Sequence, residues 1–249
     1  MKLRTRLGNF YRNIFAPLHF QLAKTQLHER LKNADHTAKS LVEITDSFAG
    51  SGWFSELRSW QVPSEFISMI DWAMGIKPAC VLEIGTAKGA TLLAWCRIAS
   101  KKIVSVDLPG GIHGGGYPAI KQKLYQEFLF DRPEVSLTCI QDDSHSEQTR
   151  QQAEVALAGM KLDILFIDGD HSYKGVKRDF ELWSPLVKSE GYVVFHDILR
   201  HKHVEKCEVD QLWTELKVRF PFFEFVEDPD QGWGGIGIIK LTQSECKVS

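Results

Sequence analysis

The feature that most constrains this chain is a regular alternation of short apolar runs with amphipathic stretches, beginning at residue 80. Cys80–Ile84, Ile103–Asp107, Val135–Ile140, Leu162–Asp168 and Tyr192–His196 read as strands, the fourth (L-D-I-L-F-I-D) being the strongest apolar run of the chain. Between and after them, Gly89–Ala99, Lys121–Phe130, Thr149–Met160, the face Val176, Phe180 and Trp183, and Val209–Arg219 carry helical spacing. Such alternation predicts a mostly parallel sheet with helices on both faces. Two last strands, Phe222–Val226 and Gly235–Leu241, are joined through a turn-rich link around Asp228 and Gly232. That link leaves no room for a crossover helix, so the pair is expected to be antiparallel. The prediction is a three-layer αβα, Rossmann-like sheet of seven strands with its last strand antiparallel.

In open sheets of this kind, ligands sit beyond the carboxyl ends of the strands. The chemistry-bearing residues fall there: Glu83-Ile84-Gly85, Asp107, Asp143, Asp168-Gly169-Asp170-His171 and His196-Asp197. In V-L-E-I-G-T-A-K-G-A, Gly85 permits a sharp turn off the strand and Gly89 a close approach at the next helix. Dinucleotide sites use G-x-G-x-x-G, whereas here Ala87 holds the middle position and Glu83 precedes the first glycine. An acid there suits a cationic ligand group, such as the amino end of S-adenosylmethionine, and would repel a phosphate. The plain alternative is a tight turn without a ligand. Asp107 stands 24 positions after Glu83, the placement of an acid that grips ribose hydroxyls, though a surface acid capping a loop reads the same way. The glycine-rich stretch Leu108–Tyr117 reads equally as flexible surface or as a lid. Asp143 and Ser144 can accept from an adenine amino group or cap the following helix. Asp168 and Asp197 end neighbouring strands, and two such carboxylates make a hard-cation site, with His196 as a third ligand and His171 beside them.

The runs V-L-E-I-G-T-A-K-G-A-T-L, S-V-D-L-P-G-G-x-x-G-G-G-Y, L-F-I-D-G-D-H-S-Y-K-G-V-K-R-D-F-E-L-W-S-P-L-V, F-H-D-I and W-G-G-I-G together resemble the class I methyltransferases that include the cephalosporin-hydroxylase-like and rhamnosyl O-methyltransferase-like proteins. The resemblance covers roughly residues 53–241. It implies S-adenosylmethionine as methyl donor, with Glu83, Gly85, Thr86, Gly89, Asp107, Asp143, Ser144 and Asp168 at the donor. It also implies Mg2+ or another divalent cation at Asp168 and Asp197. His196 stands where relatives often carry a second carboxylate, which favours a softer ion. Asp170 matches the acid that serves as base in some relatives, with His171 its rival. The expected reaction is O-methylation of a hydroxyl on a sugar or other small polar metabolite. Two alternatives stay open: a donor-binding scaffold without catalysis, and a nicotinamide oxidoreductase, against which Glu83, Ala87 and the antiparallel tail argue.

Residues 1–55 carry none of these motifs and read as a helical extension, with 56–249 as the catalytic domain. Phe10, Ile14 and Leu18 recur every four residues, with Pro17 interrupting any long helix; Ser64 is the expected N-cap of a helix over 64–76. Residues 1–32 hold seven basic residues (Lys2, Arg4, Arg6, Arg12, Lys24, Arg30, Lys32) against Glu29, a net +6; with a total of -2 the remainder carries -8. This segment reads as a peripheral membrane contact through Phe10, Tyr11, Phe15 and Phe20, or as an arm on a second subunit or a lid; Pro17 favours the arm or lid, and a homo-oligomer is expected. The bulk charge gives no footprint for a nucleic-acid binder. Five cysteines without a C-x-x-C pair, and no membrane-length apolar run, suit a cytoplasmic protein with reduced thiols. Trp53, Trp60, Tyr117 and Trp233 could stack on a sugar, core packing being the commoner role.

Overall fold

The computed structural model describes residues 11–110 and 116–242. Phe10, the first three basic residues, Cys246 and the middle of the glycine-rich stretch lie outside them. Among the described residues a seven-stranded sheet runs in the order β3-β2-β1-β4-β5-β7-β6. The strands are β1 Cys80–Ile84, β2 Lys102–Asp107, β3 Ser136–Gln141, β4 Leu162–Ile167, β5 Val187–His196, β6 Phe222–Phe225 and β7 Ile236–Lys240. Strands β1 to β5 pair in parallel, and β7 runs antiparallel to both β5 and β6. The expected sheet and its antiparallel ending are therefore present. Strand β5 begins five residues earlier than the apolar pattern indicates, because its first part is the polar Val-Lys-Ser-Glu-Gly. That part joins β4 across a register shift between Leu162 and Ile164.

Alternation along each strand divides the core in two. Ile164 and Phe166 of β4 face one layer, Leu165 and Ile167 the other. The first layer holds α1 Ala16–Asn33, α2 Ala38–Ser47, α3 Pro63–Ile76 and α4 Ala90–Ile98. The second holds α6 Glu147–Leu157, α7 Tyr173–Trp183 and α8 Val209–Leu216. Between β2 and β3 lies α5 Gln122–Gln126, flanked by 3₁₀ turns, where the spacing suggests one continuous helix.

The N-terminal segment does not stand apart. Leu27, Leu31, Leu41 and Val42 join Phe66, Met69, Leu92 and Leu93 in one cluster. Lys24 and His28 both reach Glu127 at 2.9 Å, and the His28 ring stacks on Phe130 at 3.9 Å. Pro17 sits in the first turn of α1, where its missing N–H costs nothing, so it starts the helix rather than interrupting one. The buried stripe of α1 is Ala16, Ala23, Leu27 and Leu31, while Ile14 and Leu18 are exposed. Ser64 likewise falls inside α3: Val62 holds the cap position without a side-chain bond, and Pro63 opens the helix. No helix among the described residues is long and apolar enough to cross a membrane.

Strand β1 lies inside the sheet, with β2 on one side and the central strand β4 on the other. The chain order reverses between β1 and β4, which opens a crevice beyond their carboxyl ends. The loops after β1, β4 and β5 border that crevice.

Candidate active site

Gly85 follows β1 with φ +89°, and a Cβ there would be driven into the Asp168 carbonyl oxygen. The Asp168 amide in turn donates to Ile84 O at 2.9 Å. Only glycine lets the two loops at the switch point approach so closely. Gly89, with φ +91°, sits in the same way against the Tyr125 ring, whose hydroxyl donates to Ala87 O at 3.1 Å.

Glu83 lies on β1 beneath this turn and is completely buried. Neither of its oxygens has a partner in hydrogen-bond geometry. Burial pushes its carboxyl up to about 8, only partly opposed by the nearby Thr86 and Thr91. A buried acid without a donor is costly, and a bound ammonium group would relieve it. This orphaned carboxyl is the observation that fits the amino end of S-adenosylmethionine to the residues present.

Asp107, at the end of β2, is saturated. It accepts the amides of Thr86 (3.1 Å), Ala87 (2.7 Å), Leu108 (2.7 Å) and Gly116 (3.0 Å). Burial raises its carboxyl pKa, with those amides opposing. Through these amides Asp107 acts as a clasp between the loops after β1 and β2. Thr86 is tied from its hydroxyl to Ser105. Asp143 is exposed and accepts the His145 amide at 2.9 Å, and Ser144 O accepts from Trp183 Nε1 at 2.9 Å. Neither caps α6; Ser146 does, accepting the Gln148 amide at 3.2 Å.

The densest group gathers after β4 and β5. Asp168 Oδ1 is 3.1 Å from His196 Nδ1 and 3.3 Å from His171 Nε2, and its Oδ2 accepts from Gln61 Nε2 at 3.3 Å. His171 Nδ1 lies 3.2 Å from Asp197 Oδ2, so this ring bridges the two carboxylates. Asp197 Oδ1 accepts the Gly234 amide at 3.0 Å and lies 3.6 Å from His201 Nε2. Asp197 also holds φ +61°, a left-handed conformation uncommon for a non-glycine residue and concentrated at functional sites. Burial disfavours the charged Asp168, yet the two imidazoles outweigh it and hold the carboxyl below the usual range. Burial also works against both rings, but Asp168 and Asp197 raise His171 and His196 well above an ordinary histidine.

One ligand atom each from Asp168, His196 and Asp197 lie within 4.8 Å of one another. Two oxygens and one nitrogen suit a divalent cation, and the nitrogen that faces both carboxylates is His196 Nδ1, 3.1 Å from Asp168 Oδ1 and 3.6 Å from Asp197 Oδ2. Asp170 is not part of this group. It is exposed, its Oδ1 accepts the Ser172 amide at 2.8 Å, and its carboxyl packs where a Cβ on Gly175 would stand. Gln61, from the loop before α3, and Cys207, from the loop before α8, reach the cluster although neither lies in a motif; no periodic signal marks them. Of the aromatics, Tyr117 is buried against Tyr125, Trp53 donates to Asn13, and Trp60 and Trp233 are partly exposed.

This fold is that of the class I methyltransferases, and residues 82–198 match the family model of a methyltransferase domain. The chain is 26% identical over 156 residues to the uncharacterized protein y4gI of Sinorhizobium fredii, a match covering 60% of this chain and 16% of that protein. It thus spans about a sixth of the length of the relatives it matches. Among solved structures, it superposes on the O-methyltransferase TomG of Streptomyces achromogenes, involved in tomaymycin synthesis, in complex with SAM (TM-score 0.53, 12% identity, 84% of this chain and 91% of that one). It also superposes on an O-methyltransferase of Bacillus cereus in complex with SAH (0.52, 14%, 83% and 91%). A third is the MycE methyltransferase of the mycinamycin pathway, in complex with Mg, SAH and mycinamycin VI (0.52, 16%, 82% and 54%). At these identities the likeness is one of fold.

Proposed function

We propose that the protein is an S-adenosylmethionine-dependent O-methyltransferase acting on a hydroxyl of a sugar or other small polar metabolite with the help of a divalent cation. The observation that carries the reading is the Asp168–His171–Asp197–His196 cluster, set at the crevice directly against the Gly85 turn and its orphaned Glu83. The bound donor supplies an activated methyl group on a sulfonium. Asp168, Asp197 and His196 would hold a divalent cation, which would supply positive charge beside the acceptor hydroxyl and against the carboxylates that raise His171.

Glu83 receives the donor's ammonium group, and Gly85 and Gly89 leave the backbone open to approach. His171 is assigned as base: its side chain is 39% exposed, and the flanking carboxylates hold a proton once it is taken from the acceptor. Asp170 is less suited, since its carboxylate is turned to the start of α7. A cavity of about 800 Å³ adjoins the cluster and is lined by Arg200, His201, Lys202, Glu205 and Glu208 among others, a charged lining that suits a polar acceptor.

The test is mass spectrometry of reactions with S-adenosylmethionine and a panel of sugars and small polyols, with and without chelator. Methylated product from the wild type, and none from Asp168→Ala while S-adenosylhomocysteine still binds, is the expected result. Full turnover in excess chelator would remove the cation from the account; no S-adenosylhomocysteine binding would remove the donor.

A further inference from the structure

A second set of potential ligands overlaps the oxygen-rich one. Single ligand atoms of His171, Asp197 and Cys207 also lie within 4.8 Å of one another, so Asp197 belongs to both sets. Cys207 is a buried free thiol, 7% exposed. The loop that carries it is pinned to the His171 segment: the Glu208 amide donates to His171 O at 2.7 Å, and Glu208 Oε2 accepts the Tyr173 amide at 3.0 Å. The thiol is therefore held beside the imidazole by the backbone. His201 stands next to the same carboxylate, 3.6 Å from Asp197 Oδ1, and its Nδ1 is buried without a partner. Both Cys207 and His201 line the 800 Å³ cavity, which gives an ion a route in.

Donor type and spacing point to one class of ligand. Tetrahedral ligands bound at about 2.0–2.3 Å stand roughly 3.3–3.8 Å apart. The His171–Asp197 pair is already at 3.2 Å, and the thiol lies within 4.8 Å of both. Sulfur with imidazole and one carboxylate prefers zinc or cobalt to magnesium, which seeks oxygen and water. We infer that His171, Asp197 and Cys207 form a binding site for a thiophilic divalent cation of the zinc class, distinct from the Asp168–His196–Asp197 set but sharing Asp197 with it. Occupancy engages the ring assigned above as base, so on that reading of the reaction this ion is an inhibitor and not the cofactor.

The test is optical. The intact 249-residue chain, stripped with chelator, is titrated with Co2+ alone. One equivalent should produce a thiolate-to-cobalt charge-transfer band in the near ultraviolet. The band should vanish in Cys207→Ser, persist in Asp168→Asn, and be bleached by stoichiometric Zn2+ but not by excess Mg2+. No band in folded wild-type protein, or a band that survives Cys207→Ser, overturns the inference. S-adenosylhomocysteine titration of the same samples separates the two claims: donor binding without the band sinks only this site, and the band without donor binding sinks only the methyltransferase reading.

Discussion

Replacing Glu83 by Gln tests the donor site through stability before any substrate is known. In the folded protein this carboxyl titrates near 8, against 4.5 for the free side chain. Between those values the folded state keeps a proton that the unfolded chain has released. Folding therefore takes up a proton, and stability falls as pH rises through that window. Each unit is worth about 1.4 kcal/mol, so the group costs up to about 5 kcal/mol above pH 8, and roughly 3 kcal/mol of that appears between pH 6 and pH 9. Gln is close in shape and does not ionise. Urea unfolding of wild type and Glu83→Gln at both pH values gives a double difference from which all other titrating groups cancel. The variant should gain about 3 kcal/mol on the wild type between pH 6 and pH 9. A double difference of zero, or one in which the variant loses ground to the wild type as pH rises, would refute the burial argument. The same substitution should weaken S-adenosylhomocysteine binding roughly 10- to 100-fold, the worth of a charge-assisted hydrogen bond of about 1.5–3 kcal/mol. In the wild type that affinity should rise from pH 6 to pH 8, as the carboxyl becomes cheaper to ionise.

The remaining predictions concern the loops around it. His171→Gln should lower kcat by about 10²–10⁴-fold, the worth of a general base, while Asp170→Asn should lower it far less; equal losses would return Asp170 to the mechanism. Gly85→Ala places a Cβ against the Asp168 carbonyl at φ +89° and should cost several kcal/mol of stability in chemical unfolding; a wild-type midpoint would show that the two loops separate freely. Ser146→Ala removes the cap of α6 and should cost about 1 kcal/mol with donor binding unchanged, whereas Asp143→Ala should leave that helix alone and reduce donor affinity if Asp143 meets the adenine.

The sheet was legible because its signals are local. The apolar runs of β1 and β4 mark strands buried on both faces, and the acids that follow them must then project at one rim. What escaped the sequence depends on partners distant along the chain. Asp107 is legible as an acid at a strand end, but its clasp role is not, since the amides of Thr86, Ala87 and Gly116 reach it only after two loops have folded together. Pro17 reads as a helix breaker because its position within the helix cannot be known before the start at Ala16 is. The polar start of β5 is invisible to an apolar pattern and exists because β4 offers it a ladder.

Asp170 and His171 show the same limit at the level of chemistry. Adjacent in sequence, they diverge at the turn into α7. The first is spent on the Ser172 amide, while the second swings between two strand ends that lie side by side only in the sheet. The motif names both residues and divides no labour between them. The division comes from β4 and β5 being neighbours, which sets Asp168 and Asp197 where the partly exposed His171 ring meets one with each nitrogen, while the buried His196 faces both through Nδ1. A substitution that separates those strand ends should therefore act on His171 as strongly as removing either carboxylate.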